Sequence, residues 1–321
     1  MGRRGIKTTV PADAARLENY NQLKEIIQSF ASGKTSSLVI VGSPGLSKSK
    51  SVELALGDVA KEYLYIKGGH CSPMKMYELL YNNKDVPVVL DDVNIMLGDK
   101  KIQQFIRALT ETNKYRKIEY ESFDRRFEAA GLPSHFTTTS PVCIVTNWWE
   151  DSPMYYGIAS RAEFFVLDFS WAEVHKYVGE WFWDQEIFDY VGSKIPQLKK
   201  PDIRMYIKAY SRKMGKLKHL PWKAAIDSHI DDNMGQVIRT LLADKTYRSD
   251  RKRAEKFAAD GHGVIQTFYT RSAEIKKMLE SPIPKIKLKA KNPPKEARPA
   301  DAIVHDPDDE LNVLLKMNND Y

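Results

Sequence analysis

Leu38-Val39-Ile40-Val41-Gly42-Ser43-Pro44-Gly45-Leu46-Ser47-Lys48-Ser49 is an apolar, β-branched run closed by a Gly/Pro/Ser turn, and a helical pattern follows it over Ser51 to Tyr63. A run that is apolar at every position suits a central parallel strand buried on both faces. Strand, glycine-containing loop and helix together make the context that a phosphate-binding loop requires. Glycines let backbone N–H groups approach phosphate oxygens, and the helix contributes the positive end of its dipole. In such a loop Gly42, Ser43, Pro44, Gly45, Leu46 and Ser47 form the cradle, Lys48 reaches the β and γ phosphates, and Ser49 ligates Mg²⁺. Ser47 stands where the usual pattern has Gly directly before the Lys; its Cβ narrows the loop but leaves the N–H donor in place. A Gly/Ser turn that only caps a helix would use the same residues.

Working outward, similar apolar runs recur at Tyr63 to Ile66, Val86 to Leu90, Val142 to Thr146 and Phe164 to Leu167, with helical patterns between most of them. Strands alternating with helices imply an α/β fold with a mostly parallel sheet flanked by helices. Upstream, residues 1–15 read as a basic flexible arm, and Arg16 to Phe30 carries apolar residues at spacings of three and four, the period of an amphipathic helix. Asn113 to Ser140 breaks the rhythm: Lys114 to Glu121 alternates like a strand and Phe136 to Thr139 returns as a second, an inserted hairpin or loop.

Val86 to Leu90 ends in Asp91-Asp92, two acids at the carboxyl end of an apolar strand, where α/β sheets bind ligands. They suit a metal-holding and water-orienting pair, and they also suit the cap of the next helix.

This order of elements resembles the AAA+ superfamily of P-loop ATPases, and within it the single-domain members such as clamp loaders, replication initiators and helicase loaders. The resemblance covers roughly Asn19 to Tyr210. It implies ATP and Mg²⁺ as cofactors, a metal role for Ser49 and Asp91, and a water-orienting role for Asp92, where many relatives carry the longer Glu. Val142 to Asn147 is similar to the strand that places a polar sensor on the γ phosphate, which implies that role for Asn147. Ser160-Arg161 is similar to the pair that supplies an arginine finger across a subunit boundary, and Arg204 to the sensor arginine of a helical lid. The implied division is a nucleotide-binding core over residues 16–169 with its insertion at 113–140, and a helical lid over 170–220.

From Trp171 the pattern is wholly helical, with candidates at Trp171 to Val191, Pro201 to Met214, Trp222 to Leu242, Arg248 to Ala259 and Val264 to Leu279. Residues 221–280 form a C-terminal helical region, and residues 281–321 a flexible, disordered tail with interspersed Pro and Lys, then acids.

Two segments bear on DNA as a partner. The insertion holds Lys114, Arg116, Lys117, Arg125 and Arg126 among Tyr115, Tyr120 and Phe123, a composition that suits a groove following a phosphate backbone and equally suits a solvated hairpin. Residues 247–279 offer a basic helix, a Gly261-His262-Gly263 turn and a second helix, the form of a helix-turn-helix and also of an ordinary helical hairpin. In the tail, Leu311, Val313, Leu314, Leu315 and Met317 suit a short helix that docks on a protein partner or packs back on its own core. His70 beside Cys71 has no third ligand at metal spacing, and reads as structural.

The net charge of +7 favours polyanionic partners, while 42% hydrophobic and 28% charged residues exclude global disorder. No apolar run is long enough for a membrane-spanning helix. Two isolated cysteines exclude a disulfide framework and a zinc site, so a soluble cytoplasmic protein is expected. The leading expectation is an oligomeric ATPase, hexamer or filament, that loads, remodels or delivers a partner on DNA. A protein-remodelling ATPase and a low-turnover nucleotide-dependent scaffold or regulator remain open beside it.

Overall fold

The computed structural model describes residues 10–59, 62–68, 71–92, 98–121, 127, 129–150, 152–215, 219–279, 282–289 and 302–305. They form two compact units, one of residues 10–168 with 302–305 and one of residues 169–289.

The first unit is an α/β layer structure. In chain order it contains β1 (Ala15–Leu17), α1 (Tyr20–Ala31), β2 (Ser37–Val41), α2 (Lys48–Val59), β3 (Tyr63–Lys67), α3 (Pro73–Asn82), β4 (Val88–Asp91) and α4 (Lys100–Leu109). A hairpin of β5 (Arg116–Glu119) and β6 (His135–Thr138) follows, then β7 (Val142–Thr146), α5 (Pro153–Ala159) and β8 (Glu163–Leu167). The sheet runs β1-β8-β2-β7-β4-β3, every neighbouring pair parallel. A strand from far downstream, β9 (Ala302–His305), adds in parallel to the β3 edge.

All five residues of β2 and of β7 are buried, because a parallel sheet with crossover helices is covered on both faces. Val39, Leu64, Ile66, Val88, Leu90, Val142 and Ile144 pack on one face against Met76 and Tyr77 of α3, Ile102, Phe105 and Ile106 of α4, and Ile158 of α5. Leu38, Ile40, Tyr65, Val89, Cys143 and Val145 alternate to the other face, where Tyr65 meets Ser49 of α2. β5 and β6 pair antiparallel, Arg116 opposite Thr138, as the alternation anticipates.

Arg16 does not begin a helix. Residues 15–17 are drawn into the sheet beside β8, and α1 starts only after Asn19, whose side chain accepts from the Gln22 N–H.

The second unit is helical: α6 (Trp171–Trp181), α7 (Gln185–Lys194), α8 (Arg204–Met214), α9 (Trp222–Asp227), α10 (Asn233–Ala243), α11 (Asp250–Ala259) and α12 (Ile265–Leu279). Two helices expected as continuous are each divided by an aspartate cap. Asp184 accepts from the Ile187 N–H and restarts the chain as α7, after Phe182 has turned to extended backbone. Asp232 accepts from the Gly235 N–H at the start of α10, while His229 and Ile230 are tied to Lys199 and Leu198. Helices α10, α11 and α12 enclose a small core of Ile238, Leu241, Ala254, Phe257, Phe268 and Ile275.

Of the segment expected as tail, residues 282–289 lie against α6 and α7, and 302–305 form β9. The apolar cluster Leu311 to Met317, and His70, lie outside the described residues.

Candidate nucleotide site

The site is built where β2, β7, β4 and β3 end. Gly42 closes β2 against the next strand: a Cβ there would lie 2.9 Å from Cβ of Leu167, which no larger residue tolerates without displacement. The loop then needs two left-handed residues, Gly45 at φ 84° and Ser47 at φ 60°. Ser47 therefore takes the backbone that the usual glycine would take, at a steric cost glycine avoids. Leu46 is buried, and Tyr20 of α1 donates to its carbonyl at 3.0 Å, pinning the crown of the loop to the helix before β2.

Lys48 opens α2 and is only 6% exposed. Its ammonium donates to Gly42 O at 2.8 Å, Ser43 O at 3.0 Å and Asn147 Oδ1 at 2.9 Å. The charge is thus held under the loop by acceptors from both sides. Asn147 follows the last residue of β7, and its Nδ2 donates to Asp92 Oδ1 at 3.5 Å. Because β7 lies between β2 and β4, the sheet order itself sets Asn147 between the lysine and the acid.

Asp91 ends β4 and accepts from the Tyr65 hydroxyl at 2.9 Å. The Ser49 hydroxyl bonds the same Tyr65 oxygen, so serine, tyrosine and carboxylate form one chain; burial, then the nearby Asp91 charge, push the Tyr65 pKa far up and keep it a donor. Asp92 leaves the strand in the left-handed region at φ 56°, its N–H bonded to Val145 O at 2.9 Å. Gly68 makes this turn possible, since a Cβ at that position would sit 2.5 Å from Asp92 O.

No group of three or more His, Cys, Asp or Glu stands at metal distance among the described residues. A Mg²⁺ bound with a nucleotide asks for less, one hydroxyl and one carboxylate with phosphate and water completing the shell. Ser49 and Asp91, joined through a single hydroxyl, fit that requirement.

Arg161 lies in the turn between α5 and β8 and donates to Gly157 O at 3.3 Å, within its own turn rather than to Lys48, Asp92 or Asn147. No carboxylate pairs with it among the described residues. Arg204 belongs to the second unit, exposed at the start of α8 with its N–H on Asp202 at 2.8 Å.

The DNA-directed expectations divide. In the insertion, Arg116 is 2% exposed and donates to the carbonyls of Leu109 and Ser140, so it ties the hairpin to α4 and reaches no ligand. Tyr120 is buried as well, while Lys114, Tyr115 and Lys117 are exposed; Phe123, Arg125 and Arg126 lie outside the described residues. In the α11–α12 pair, Arg253, Lys256 and Arg271 are taken up by Asp250, Asp260 and Asp232. Arg248, Lys252, Gln266, Tyr269 and Thr270 remain exposed.

Tyr20, Tyr65 and Gly68 join the site without having been read from the sequence. Tyr65 looks there like one more apolar position of a buried strand, and only its register beside Asp91 reveals the hydroxyl's partner.

No protein-family model matches the chain. Over 136 residues it is 26% identical to an uncharacterized 36.7 kDa protein in the nrdC-mobD intergenic region of Enterobacteria phage T4, a match spanning 40% of this chain and 41% of that protein's length. Among solved structures, NtrX from Brucella abortus in complex with ATP is similar at a TM-score of 0.43 and 10% identity, over 79% of this chain and 67% of that one. The RuvB Holliday junction branch migration motor of Thermotoga maritima is similar at 0.39 and 12%, over 83% of this chain and 95% of its own. Likeness at this level carries no functional argument, which rests on the site itself.

Proposed function

We propose that this chain is an ATP-binding P-loop protein of the AAA+ type, which hydrolyses ATP as a homo-oligomer and uses it to load, remodel or deliver a partner on DNA. The observation that carries this reading is the convergence of Lys48, at the start of α2, on Asn147 and Asp92 at the ends of the adjacent strands β7 and β4. In it, Lys48 meets the β and γ phosphates, exchanging its carbonyl partners for phosphate oxygens. Asp92 and Asn147 hold the attacking water, and Ser49 and Asp91 hold Mg²⁺, which neutralises phosphate charge when bound. Arg161 is the group offered to a neighbouring subunit's nucleotide; its lack of a carboxylate partner among the described residues and the 75% exposed Tyr156 one turn earlier support an interface there. Arg204 is the lid residue that senses the γ phosphate.

A fluorescent ATP analogue measures binding and phosphate release measures turnover. Unchanged affinity in Lys48→Ala would sink the assignment. A low-turnover nucleotide switch is the second reading, motivated by Asp92, one methylene shorter than Glu and already engaged by Asn147. Binding without measurable turnover, with or without DNA, decides for it.

A further inference from the structure

Residues 282–289 form a short strap on the helical unit, and its chemistry differs on its two sides. Pro284, Ile286 and Leu288 are partly buried, whereas Lys285, Lys287 and Lys289 are exposed. The strap is fixed by one side chain. Gln185, at the start of α7, donates through Nε2 to Ile286 O at 3.1 Å and accepts from the Leu288 N–H at 2.8 Å. In extended backbone a carbonyl and the N–H two residues on lie on the same side, so one side-chain amide reaches both.

The second hydrogen of Nε2 goes to Asp189 Oδ1 at 2.8 Å, so the amide has one orientation that satisfies all its partners. Ile286 seats over Gly179 of α6, where a Cβ would come within 3.1 Å of its Cδ1. The Gln185 amide and the Gly179 seat hold an extended strap with a fixed outward face.

That face is a row of three ammonium groups. Alternate residues of extended chain repeat about every 6.7 Å, close to the separation of successive phosphates along an extended single strand of nucleic acid. None of the three lysines has a carboxylate partner among the described residues, unlike Lys213, Lys256 and Lys276 of the same unit. Among the described residues, Asp189 is the one carboxylate lining the groove between the strap and helices α6 and α7, and it is held by Gln185.

We propose that the strap is a phosphate-backbone site for single-stranded nucleic acid, with Lys285, Lys287 and Lys289 each meeting one phosphate and Gln185 as the positioning residue that keeps them in line. This deepens the reading of nucleic acid as the partner and does not depend on the nucleotide site. Specificity for base sequence is not expected, because only backbone charge is engaged.

The test is anisotropy of a labelled, unstructured single-stranded deoxyoligonucleotide with the full chain, across a salt series. Replacing all three lysines by Gln, at exposed positions, is expected to weaken binding at least tenfold. It should also make the slope of log K against log salt shallower by about 2, from about 0.7 per phosphate contact. Gln185→Ala keeps every charge but releases the strap, and is expected to weaken binding several-fold. Unchanged affinity and slope in the triple variant overturn the proposal, and wild-type behaviour of Gln185→Ala overturns the positioning. A loss confined to polyglutamate and absent with the oligonucleotide overturns it as well. Should the chain bind no ATP analogue while the triple variant still loses the oligonucleotide, the nucleotide reading fails and the strap stands.

Discussion

The Lys48 ammonium at the start of α2 and the Asn147 carboxamide oxygen just past β7 are hydrogen-bonded at 2.9 Å, and the same carboxamide passes the contact on to Asp92. Three roles follow that separate experimentally. Lys48→Ala removes the charge proposed to meet the phosphates and is expected to lower nucleotide affinity at least about 100-fold, a loss near 2.7 kcal/mol. Asn147→Ala and Asp92→Asn should bind within a few-fold of wild type and lose turnover by about 10²–10³, as for other single groups acting on the reacting centre. Binding and phosphate release on the same preparations check all three.

Tyr65→Phe is expected to separate metal from nucleotide. Losing the hydroxyl frees Asp91 and Ser49 from their common partner, so half-saturation by Mg²⁺, or by Mn²⁺ followed by paramagnetic resonance, should move several-fold upward. Metal-free nucleotide affinity should stay near wild type. Equal metal titrations of the two proteins would remove Tyr65 from the site.

Ser47 at φ 60° makes a prediction opposite in sign to most substitutions in a binding loop. Ser47→Gly removes a left-handed Cβ worth about 1 kcal/mol, and should raise the melting temperature of the first unit by about 2–4 °C. Gly45→Ala, at φ 84°, should lower it by a similar amount. Differential scanning calorimetry without nucleotide reads both.

These residues also mark how far the sequence could be read. The runs Leu38 to Val41, Val88 to Leu90 and Val142 to Val145 within β2, β4 and β7 are apolar throughout, so their strand identity and parallel arrangement followed from pattern alone. Asp184 and Asp232 were missed as helix starts because flanking apolar residues keep helical spacing across the break, and only the cap hydrogen bonds reveal it. Arg116 shows the converse error: basic type suggests a ligand, yet its guanidinium meets the carbonyls of Leu109, Asn113 and Ser140, joining the hairpin to α4. Long-range partners such as Tyr65 with Asp91 depend on strand register, which single-residue chemistry does not contain.

Arg161→Ala is expected to leave nucleotide affinity within a few-fold of wild type while lowering turnover, toward the factor of about 10³ seen for trans arginines. Mixed with wild type, it should depress activity more than in proportion to its share, because each defective subunit silences a neighbour's site. Turnover unaffected by the substitution would place the finger elsewhere.

His175 gives the helical unit a pH dependence. It is 2% exposed, stacked on Phe188 at 3.9 Å and bonded through Nδ1 to the Tyr206 hydroxyl, and burial pushes its pKa down to about 4. An ordinary histidine protonates near 6.5, so between those values the unfolded chain binds a proton that the folded one refuses. Stability is full above about pH 6.5 and is lost as pH falls, by about 3 kcal/mol on reaching pH 4. Urea titrations from pH 7 to 4 should show that decline, and His175→Gln, less stable at neutrality, should flatten it.

Strand β9 pairs with β3 across most of the length of the chain. A ribosome releases β3 long before β9, so during synthesis the first unit assembles with one margin open and its ladder groups unpaired. Nascent chains on one polysome each carry that open margin at the moment a neighbour delivers its own closing strand. Strand exchange between sister polypeptides is therefore a hazard peculiar to dense translation, and slowing initiation on the message should raise the share of chains whose β9 closes their own sheet, without altering a single residue.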